Sequence, residues 1–513
     1  RGESPCNYFC RFGHNIRMCA ERKSEKAAVG SAALRKMFSG CSDFVIRSVL
    51  PGLLPGREIY VCWLDGLVDG TSVTEDVLRP VTERGRTPFP RSAERIMELM
   101  ERGAVYSYSV KRREGLSDVS DDLVNGCCAV VFDGPGAALT FEVRSKTGRS
   151  VSEPTVEKSI KGAKDAFVET LRINTSLVRR KLRNPALKLT ELTVGRQSAT
   201  NVAVMYVKDI AKDETVEELL RRLRAIDADG LLSAAEIEES LADNPKTPFP
   251  ELLHTERSDA FAMQLLNGRV GVLVDGLPIG FLAPGCLAAF MRVPEDSASH
   301  FAVSSMLLAL RWAALAISLL LPGAFVAVTM YHQEMLPTKL LLSMSAAKQY
   351  VPLSAAAEAI AMLLSFELLQ EAGLRLPDPV GQTASIIGAL IVGQSAVEAR
   401  VVSPIAVIVV ALSGIAGYAL PSHDLSSAIR LLRFAFVIAG AALGLFGLMT
   451  ALALLIYHLA SLECFGAPYL TPFTDGDGRG ALRALISRPA RSNRLRSPVI
   501  AGKNLRRRAG GGK

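Results

Sequence analysis

The stretch from Leu353 to Glu398 reads LSAAAEAIAMLLSFELLQEAGLRLPDPVGQTASIIGALIVGQSAVE and decides how the second half of the chain must fold. It lies in a strongly apolar region, yet it carries the glutamates Glu358, Glu367, Glu371 and Glu398. A carboxylate at bilayer depth is costly unless water, a proton or a partner compensates it, so such groups usually face a bundle interior or a pathway. On one helix, Glu358 would lie roughly opposite Glu367 and Glu371. This helix therefore needs protein or water on both sides.

The charge is distributed unevenly along the 513 residues, whose formal net charge is +8. Charged residues crowd the first three hundred positions and the last thirty-five, and they almost vanish in between. The segment from Arg479 to Lys513 contains eleven Lys or Arg and no acid. Beside membrane spans, such a tail is typical of a cytoplasmic anchor near anionic lipid under the positive-inside rule. We therefore predict membrane lipid as a partner, and no nucleic acid.

Charge-free stretches long enough to cross about 30 Å of hydrocarbon follow position 300. They are Trp312 to Tyr331, Val380 to Val397, Val401 to Ser422 and Phe434 to Leu462. If residues 353–371 also crossed, the five crossings would place the basic tail and the large N-terminal region on opposite sides of the membrane. Because no signal-peptide core is visible, we expect both on the cytoplasmic side. This favours about four full spans, with 353–371 as a polar helix that is re-entrant, interfacial or pore-lining.

The first three hundred residues have the pattern of a soluble α/β region. Runs typical of β-strands end in Asp-Gly at 59–66, 129–134 and 270–276, which indicates either repeated βα modules or common hairpin turns. Apolar periodicity predicts a long amphipathic helix from Lys164 to Leu182. The predicted fold class is an α/β cytoplasmic domain of two subdomains followed by an α-helical transmembrane domain.

The expected domain boundaries follow these changes of composition. We predict a basic disordered arm over residues 1–40, a first α/β subdomain over 41–150 and a second over 151–300. The helical transmembrane domain is expected over 301–465, and a basic cytoplasmic tail over 466–513.

No catalytic, nucleotide or metal signature stands out in the sequence. It lacks GxxxxGK[ST], HExxH and GxSxG, and its nine cysteines include no paired Cys-x-x-Cys. Cys6, Cys10, His14 and Cys19 have near-ligand spacing but form no zinc knuckle. We therefore expect neither an enzyme nor a cofactor or metal.

The polar residues at membrane depth are the candidate functional groups. Gln394 and Glu398 lie four residues apart on one helix face, and with Glu358, Glu367 and Glu371 they are candidates for a cation pathway. Alternatively, Glu398 pairs with Arg400 at the membrane edge, and Gln394 only bonds across helices. The sequence leaves both interpretations open.

Ordered motifs across the chain resemble those of the GerA family, the A subunits of nutrient germination receptors in the inner membrane of bacterial endospores. The matching blocks include Tyr60–Asp69, Phe167–Arg180, Ile226–Gly230, Gly268–Gly276, Phe366–Pro377, Gly393–Glu398 and Phe465–Phe473. The residues Thr255, Glu256, Arg257 and Asp259 match a family motif in the soluble domain, in which Ser258 replaces the usual Pro. A structural and a functional role for this motif both stay open.

This resemblance implies a membrane subunit of a spore germinant receptor. The implied partners are a transporter-like B subunit and a lipoprotein C subunit. The resemblance also implies a homo-oligomer that forms a nutrient-gated cation channel, in which a ring of one Glu per subunit would reject anions. The alternatives are a paralogous spore channel subunit acting with the dipicolinic-acid release machinery, and a non-conducting scaffold of the receptor complex.

Overall fold

The computed structural model describes residues 28–49, 59–82, 92–104, 109–145, 153–154, 156–157, 161–375, 393–474, 478–489, 492 and 494–507. These residues form two α/β subdomains, a helical region and a C-terminal segment that returns to the second subdomain. The predicted combination of α/β subdomains with a C-terminal helical region is confirmed.

The first subdomain is built on an antiparallel sheet with the strand order β1-β2-β4-β5-β3. Its strands are β1 Phe44–Val49, β2 Ile59–Leu64, β3 Val110–Arg113, β4 Cys127–Phe132 and β5 Ala137–Glu142. The helices are α1 Ser31–Met37, α2 Ala93–Leu99 and α3 Leu116–Val124, with shorter helical pieces Gly70–Ser72, Val73–Leu78, Arg79–Thr82 and Met100–Ala104. Every residue of the central strand β4 is buried, as its unbroken apolar run requires.

The second subdomain repeats this topology with the strand order β6-β7-β9-β10-β8. Its strands are β6 Leu187–Val194, β7 Thr200–Val207, β8 Leu253–Thr255, β9 Val270–Val274 and β10 Gly280–Ala283. The helices are α4 Leu171–Lys181, α5 Asp213–Ala225, α6 Ala234–Leu241 and α7 Ser258–Leu266, followed by the short Leu287–Phe290. In both subdomains one helix precedes the first strand, and one lies between the third and fourth strands.

The Asp-Gly turns contribute the same contact to both subdomains. Asp133, between β4 and β5, accepts hydrogen bonds from the backbone N–H and the hydroxyl of Ser31, both at 2.7 Å. Asp275, between β9 and β10, accepts one from the backbone N–H of Leu171 at 2.9 Å. Each aspartate therefore holds the start of the first helix of its subdomain, where N–H groups lack helical partners. These two turns are antiparallel hairpin turns.

Two expectations for the α/β region were wrong in detail. The disordered arm expected over residues 1–40 includes α1, whose Leu34 is fully buried with Phe38 against the first sheet, so this part belongs to the subdomain. Residues 1–27 lie outside the described residues. The helix expected from Lys164 to Leu182 begins only at Leu171. The backbone before it instead binds the chain near Arg257, with Phe167 donating its N–H to the Glu256 carbonyl at 2.7 Å.

Among the described residues, the helical region contains four principal helices that we call the bundle: α8 Phe301–Tyr331, α10 Ala355–Arg375, α11 Pro404–Tyr418 and α12 His423–Ser461. Between the first two lie a short turn, Gln333–Met335, and the helix α9 Thr338–Lys348. Described helices long and apolar enough to cross a membrane are α8 and α12. Both expose large apolar side chains, among them Met306, Leu310, Phe446 and Leu454.

The helix α12 reverses direction at Gly444. This residue has φ 62° and ψ −144°, a conformation that is open essentially only to glycine. A Cβ atom at Gly447 would lie 2.2 Å from the carbonyl oxygen of Ala439, which is possible only if the chain folds back. Gly323 of α8 is in close contact with both parts, near Phe436 and Leu448. Residues 423–443 and 445–461 are therefore the two arms of a helical hairpin.

The expected four full spans are not established. Trp312 to Tyr331 lies within α8, but the span expected over Phe434 to Leu462 is divided by the hairpin turn at Gly444. The span expected over Val401 to Ser422 contains α11, which has only 15 residues. Most of Val380 to Val397 lies outside the described residues. Glycine at 444 is compatible with either a continuous or a reversed helix, so the sequence did not reveal the turn.

The C-terminal segment packs on the second subdomain. Tyr469 is fully buried between Phe249 and Phe290, and the short strands Glu463–Cys464 and Ala467–Pro468 precede it. After the helix α13 Gly478–Leu485, Gly502 donates its N–H to the Ile210 carbonyl at 2.7 Å. Within the described part of the predicted tail, Tyr469 and Gly502 therefore bind the α/β region, whereas α13 contacts α8, where Trp312 Nε1 donates to the Ala484 carbonyl at 3.3 Å.

Candidate functional site

Glu358 is buried inside the bundle at the start of α10. Its side chain is 1% exposed, and its Oε2 accepts a hydrogen bond from the Ser403 backbone N–H at 2.9 Å. Its Oε1 lies 3.5 Å from Nζ of Lys348. Ser403 is the N-cap of α11, so the carboxylate lies at the positive end of that helix. Helix dipole and lysine together explain how an acid can lie at this depth.

Glu367 lies further along α10 and faces the first arm of α12. Its Oε2 is 3.4 Å from Nη1 of Arg430, while its Oε1 has no hydrogen-bond partner among the described residues. Arg430 also donates to the hydroxyl of Ser427 at 2.8 Å. The pair is loosely matched, and this leaves a carboxylate oxygen in the bundle able to accept another donor.

Arg433 is the most deeply buried cation of the bundle. It is 1% exposed, and its Nη2 donates to the Ser318 hydroxyl of α8 at 3.0 Å. Its Nε and Nη1 have no partner within the described part of the chain. A buried guanidinium with unused donors costs free energy unless an acceptor reaches it. With Glu367 and Arg430, it makes a charged layer in the middle of the bundle.

The remaining membrane candidates lie on the surface of the bundle. Gln394 donates through Nε2 to Glu398 Oε1 at 2.9 Å, and both residues are exposed. Among the described residues no ion pair joins Arg400 to Glu398, which was one alternative, and the Arg400 guanidinium lies 4.6 Å from the Tyr350 ring centre. Glu371 is exposed near the end of α10.

The motif Thr255 to Asp259 ties the chain before α4 to the second sheet. The Thr255 hydroxyl donates to Glu157, and Glu256 accepts the Val156 backbone N–H at 2.7 Å. Arg257 is 2% exposed and forms two hydrogen bonds to Asp259, at 2.7 and 3.0 Å. Every described contact of the motif is internal to the subdomain.

The side chain of Ser258 binds the same segment. Its hydroxyl donates to Asp165 Oδ2 at 2.7 Å, and Lys181 lies 3.0 Å from Oδ1. Burial would raise the pKa of Asp165, but the hydrogen bonds from Ser258 and Lys181 outweigh it and lower that pKa. The serine that replaces the family's usual proline therefore supplies a hydrogen bond of its own.

Sequence reasoning missed several charged residues that the fold uses. Arg430 and Arg433 precede the apolar stretch that begins at Phe434, so they were read as lying outside a span rather than inside a hairpin arm. Arg179 was also missed. It forms a bidentate ion pair with Asp43 across the two subdomains, at 2.7 and 2.8 Å. The available signal was an arginine on the apolar face of a predicted amphipathic helix.

The architecture thus defines a class: a protein with two α/β subdomains of one topology, attached to an apolar helical bundle that contains buried charges. Residues 32–499 match the family model described as "Bacillus/Clostridium GerA spore germination protein". The chain belongs to this family, as the motifs predicted, and its role relates to spore germination.

Individual relatives are similar over most of the chain. The chain is 35% identical over 466 residues to Spore germination protein KA of Bacillus subtilis (strain 168), covering 91% of this chain and 85% of that protein. It is 34% identical over 438 residues to the Uncharacterized membrane protein YfkQ of the same organism, covering 85% of this chain and 84% of that protein.

A solved structure is similar to part of this chain. It is the crystal structure of the N-terminal domain of the A subunit of the Bacillus megaterium spore germinant receptor GerK3. The match has 28% sequence identity and a TM-score of 0.38, and it covers 49% of this chain and 92% of that chain.

Proposed function

We propose that this chain is the A subunit of a nutrient germinant receptor and that copies of it assemble into a cation channel in the inner membrane of the spore. The observation that carries the proposal is the layer of charged side chains inside the bundle, formed by Glu367, Arg430 and Arg433. Ionisable residues at membrane depth are rare and usually mark ion pathways or the parts that gate them. The chain would act without catalysis and without a cofactor.

The candidate residues divide into two groups with different proposed roles. A pore between copies is lined by groups on the outer surface of each bundle, where Glu371 and the pair Gln394–Glu398 lie. We assign the cation-selective ring to Glu398, which Gln394 holds in place. The buried Glu358 and Glu367 would instead control how the helices shift when the channel opens.

Assembly with other subunits is part of the proposal. The bundle exposes large apolar side chains, including Met306 at 65%, Leu310 at 58% and Phe446 at 73%. Such surfaces need lipid or neighbouring helices to cover them. We propose that copies of this chain and a transporter-like B subunit cover part of this surface, and that a lipoprotein C subunit completes the receptor.

A non-conducting scaffold is the second candidate, and one observation favours it. One oxygen of Glu358 accepts the Ser403 N–H, and the other lies at ion-pair distance, 3.5 Å, from Nζ of Lys348. A carboxylate with such contacts serves the cap of α11 and need not meet a permeating ion. On this view, the charged groups fix the arrangement of helices for partner subunits.

Cation efflux from spores after nutrient addition tests the proposal. We would compare the parent chain with Glu398→Gln, Glu367→Gln and Glu358→Gln at matched protein level, with Glu334→Gln as the exposed control in the α8–α9 turn. Reduced efflux or altered selectivity in Glu398→Gln, with the complex still assembled, supports the channel. Normal efflux in all three variants contradicts the assigned pathway.

The same experiment separates the alternatives. A scaffold predicts that Glu358→Gln lowers the amount of assembled complex without changing the ions that pass through what remains. A paralogous channel acting with the dipicolinic-acid release machinery predicts normal early cation efflux when this chain is deleted, but slower release of dipicolinic acid.

A further inference from the structure

A cluster of ligand-type side chains lies where the second subdomain meets the start of α12. Glu238 comes from α6, His254 from β8 and Asp424 from the first turn of α12. His254 Nδ1 lies 2.9 Å from Asp424 Oδ2, and one ligand atom from each of the three residues lies within 4.8 Å of the other two. Each side chain is half-buried, so the cluster is shielded but reachable.

The cluster has more negative than positive charge. Within the described residues, the ion pair of Asp424 is with His254, and no Lys or Arg is paired with Glu238. Glu157 adds a further carboxyl group near His254. A cation with free coordination positions would relieve this imbalance.

We propose that Glu238, His254 and Asp424 bind a divalent transition-metal ion of the zinc class. One imidazole nitrogen with two carboxylates is a donor set that zinc accepts, and three protein ligands leave a position for water. Tetrahedral bonds of about 2.0–2.1 Å place neighbouring donor atoms roughly 3.4 Å apart. The His254–Asp424 spacing of 2.9 Å is somewhat shorter than this value, and no spacing in the cluster exceeds 4.8 Å, so side-chain rotations bring the donors to bonding positions. Calcium and magnesium fit less well, because both prefer all-oxygen sites.

The second cluster of this type, formed by Asp243, Glu251 and Cys464, does not fit a metal. Glu251 already accepts the backbone N–H groups of Asp243 and Asn244, and Asp243 is paired with Arg222. The thiol of Cys464 donates to the Glu251 carbonyl at 3.0 Å, and burial raises its pKa far above the usual range. Its donor atoms are therefore already bonded to backbone groups or to Arg222, whereas the contact described for His254 and Asp424 is with each other.

The metal would have a definite mechanical effect. Two of its ligands, Glu238 and His254, lie in the α/β region. The third, Asp424, is the second residue of α12, the helical hairpin that enters the bundle. Binding would fix the position of α12 relative to α6 and β8, and loss of the ion would release it. This inference does not depend on the channel, since a scaffold could use the same link.

Zinc binding by the full-length chain, purified in detergent and stripped of metal by a chelator, tests the proposal. Zinc chloride would be titrated against a competing chelating dye, and bound metal would be counted by elemental analysis. We expect His254→Gln and Glu238→Gln each to lose one equivalent relative to the parent. Glu239→Gln, the exposed neighbour on α6, should keep it. Equal zinc content in the parent and His254→Gln overturns the proposal.

Cobalt substitution distinguishes this site from cysteine sites such as the near-ligand group around Cys6 and Cys10. His254→Cys should keep the equivalent that His254→Gln loses and should add a thiolate-to-cobalt charge-transfer band to the parent spectrum. If His254→Gln does not fold, Glu238→Gln decides the question by thermal unfolding. Added zinc should raise the unfolding temperature of the parent but not that of Glu238→Gln. Equal shifts, or no added band in His254→Cys, contradict the site.

Discussion

Arg179 and Asp43 hold the two α/β subdomains together through an ion pair in which each side chain is only 2% exposed. The guanidinium also donates to the Leu187 carbonyl at 2.9 Å. Removing one partner of such a buried pair leaves the other charge uncompensated, which typically costs about 3–5 kcal/mol. We expect Arg179→Met to lower the free energy of unfolding by roughly this amount.

Trp63 of β2 provides the measurement for this prediction. Urea unfolding would be followed by its fluorescence in a Trp312→Phe background, which removes the other tryptophan. Arg183→Met is the matched control, because Arg183 follows the same helix but is exposed, and its hydrogen bonds to the Arg180 carbonyl and to Asn125 lie at the surface. If Arg179→Met lowered the free energy of unfolding by less than about 1 kcal/mol, the buried pair would contribute no more than a typical surface salt bridge, which contradicts the prediction.

Cys62 makes the first subdomain sensitive to alkaline pH. Burial raises the pKa of this thiol from 9.0 to about 12. The unfolded chain releases the thiol proton near pH 9, while the folded chain keeps it. This contribution to stability is therefore complete below pH 9 and is lost as the pH rises toward 12. Between pH 9 and pH 10 the loss should be about 1 kcal/mol.

The comparison of Cys62→Ala with the parent isolates this effect. The alanine variant begins at a lower stability because a buried side chain is shortened, so only the change with pH is compared. Unfolding of each protein would be followed through Trp63 at pH 8, 9 and 10. Parallel pH curves for the two proteins would show that the thiol proton does not contribute.

At the scale of elements, the hairpin turn of α12 depends on a single glycine. Gly444 has a positive φ, and a Cβ atom there would lie 3.0 Å from the Cβ of Tyr331. The Tyr331 hydroxyl also donates to the Ala441 carbonyl at 2.7 Å, so it has little freedom to move. We expect Gly444→Ala to destabilise the bundle by about 1–3 kcal/mol from backbone strain.

Thermal unfolding of the detergent-solubilised chain, read by loss of monodisperse protein, tests this expectation. Gly393→Ala is the control, because a Cβ atom there makes only an ordinary contact of 3.8 Å with Val407. If both variants melt like the parent, α12 does not require the turn at Gly444.

The elements show what sequence can and cannot predict here. The strands were found because alternating or continuous apolar runs end in Asp-Gly, as at Asp133 and Asp275. The helix before Leu187 was predicted too long, since periodicity alone could not show that residues near Phe167 bond to Glu256. The reversal at Gly444 depends on tertiary packing against α8. Local patterns therefore predicted element types, whereas contacts between elements decided their lengths and turns.

The candidate site was predicted to a similar extent. The glutamates of α10 were found because a carboxylate in an apolar stretch is unusual. Their partners Lys348 and Arg430 were not, because both lie outside that stretch in sequence. His254 and Asp424 are 170 positions apart, so their meeting depends on how the bundle joins the second subdomain.

At the scale of the whole molecule, the second subdomain is the point on which the other parts converge. It contacts the start of α12 through His254, its end through a 3.0 Å contact between Thr247 and His458, and the C-terminal segment. Arg496 of that segment donates to the Leu266 carbonyl at 2.6 Å, at the negative end of α7. A conformational change in this subdomain can therefore be transmitted to the bundle through both the start and the end of α12.

This arrangement predicts that the C terminus and the α/β region lie on the same side of the membrane. The tail packs on the second subdomain, while the α8–α9 turn at Gln333 lies at the opposite end of α8.

A protease site placed after Lys513 should be cut in the vesicle orientation that exposes the α/β region. A site placed between Leu336 and Pro337 should be cut only in the other orientation and serves as the control. If the C-terminal site were instead cut in the same orientation as the turn site, in vesicles that enclose the α/β region, the tail would have to cross the membrane. The prediction rests on the contacts of Gly502 and Arg496 with the second subdomain, because a segment that binds this subdomain lies on the same side of the membrane.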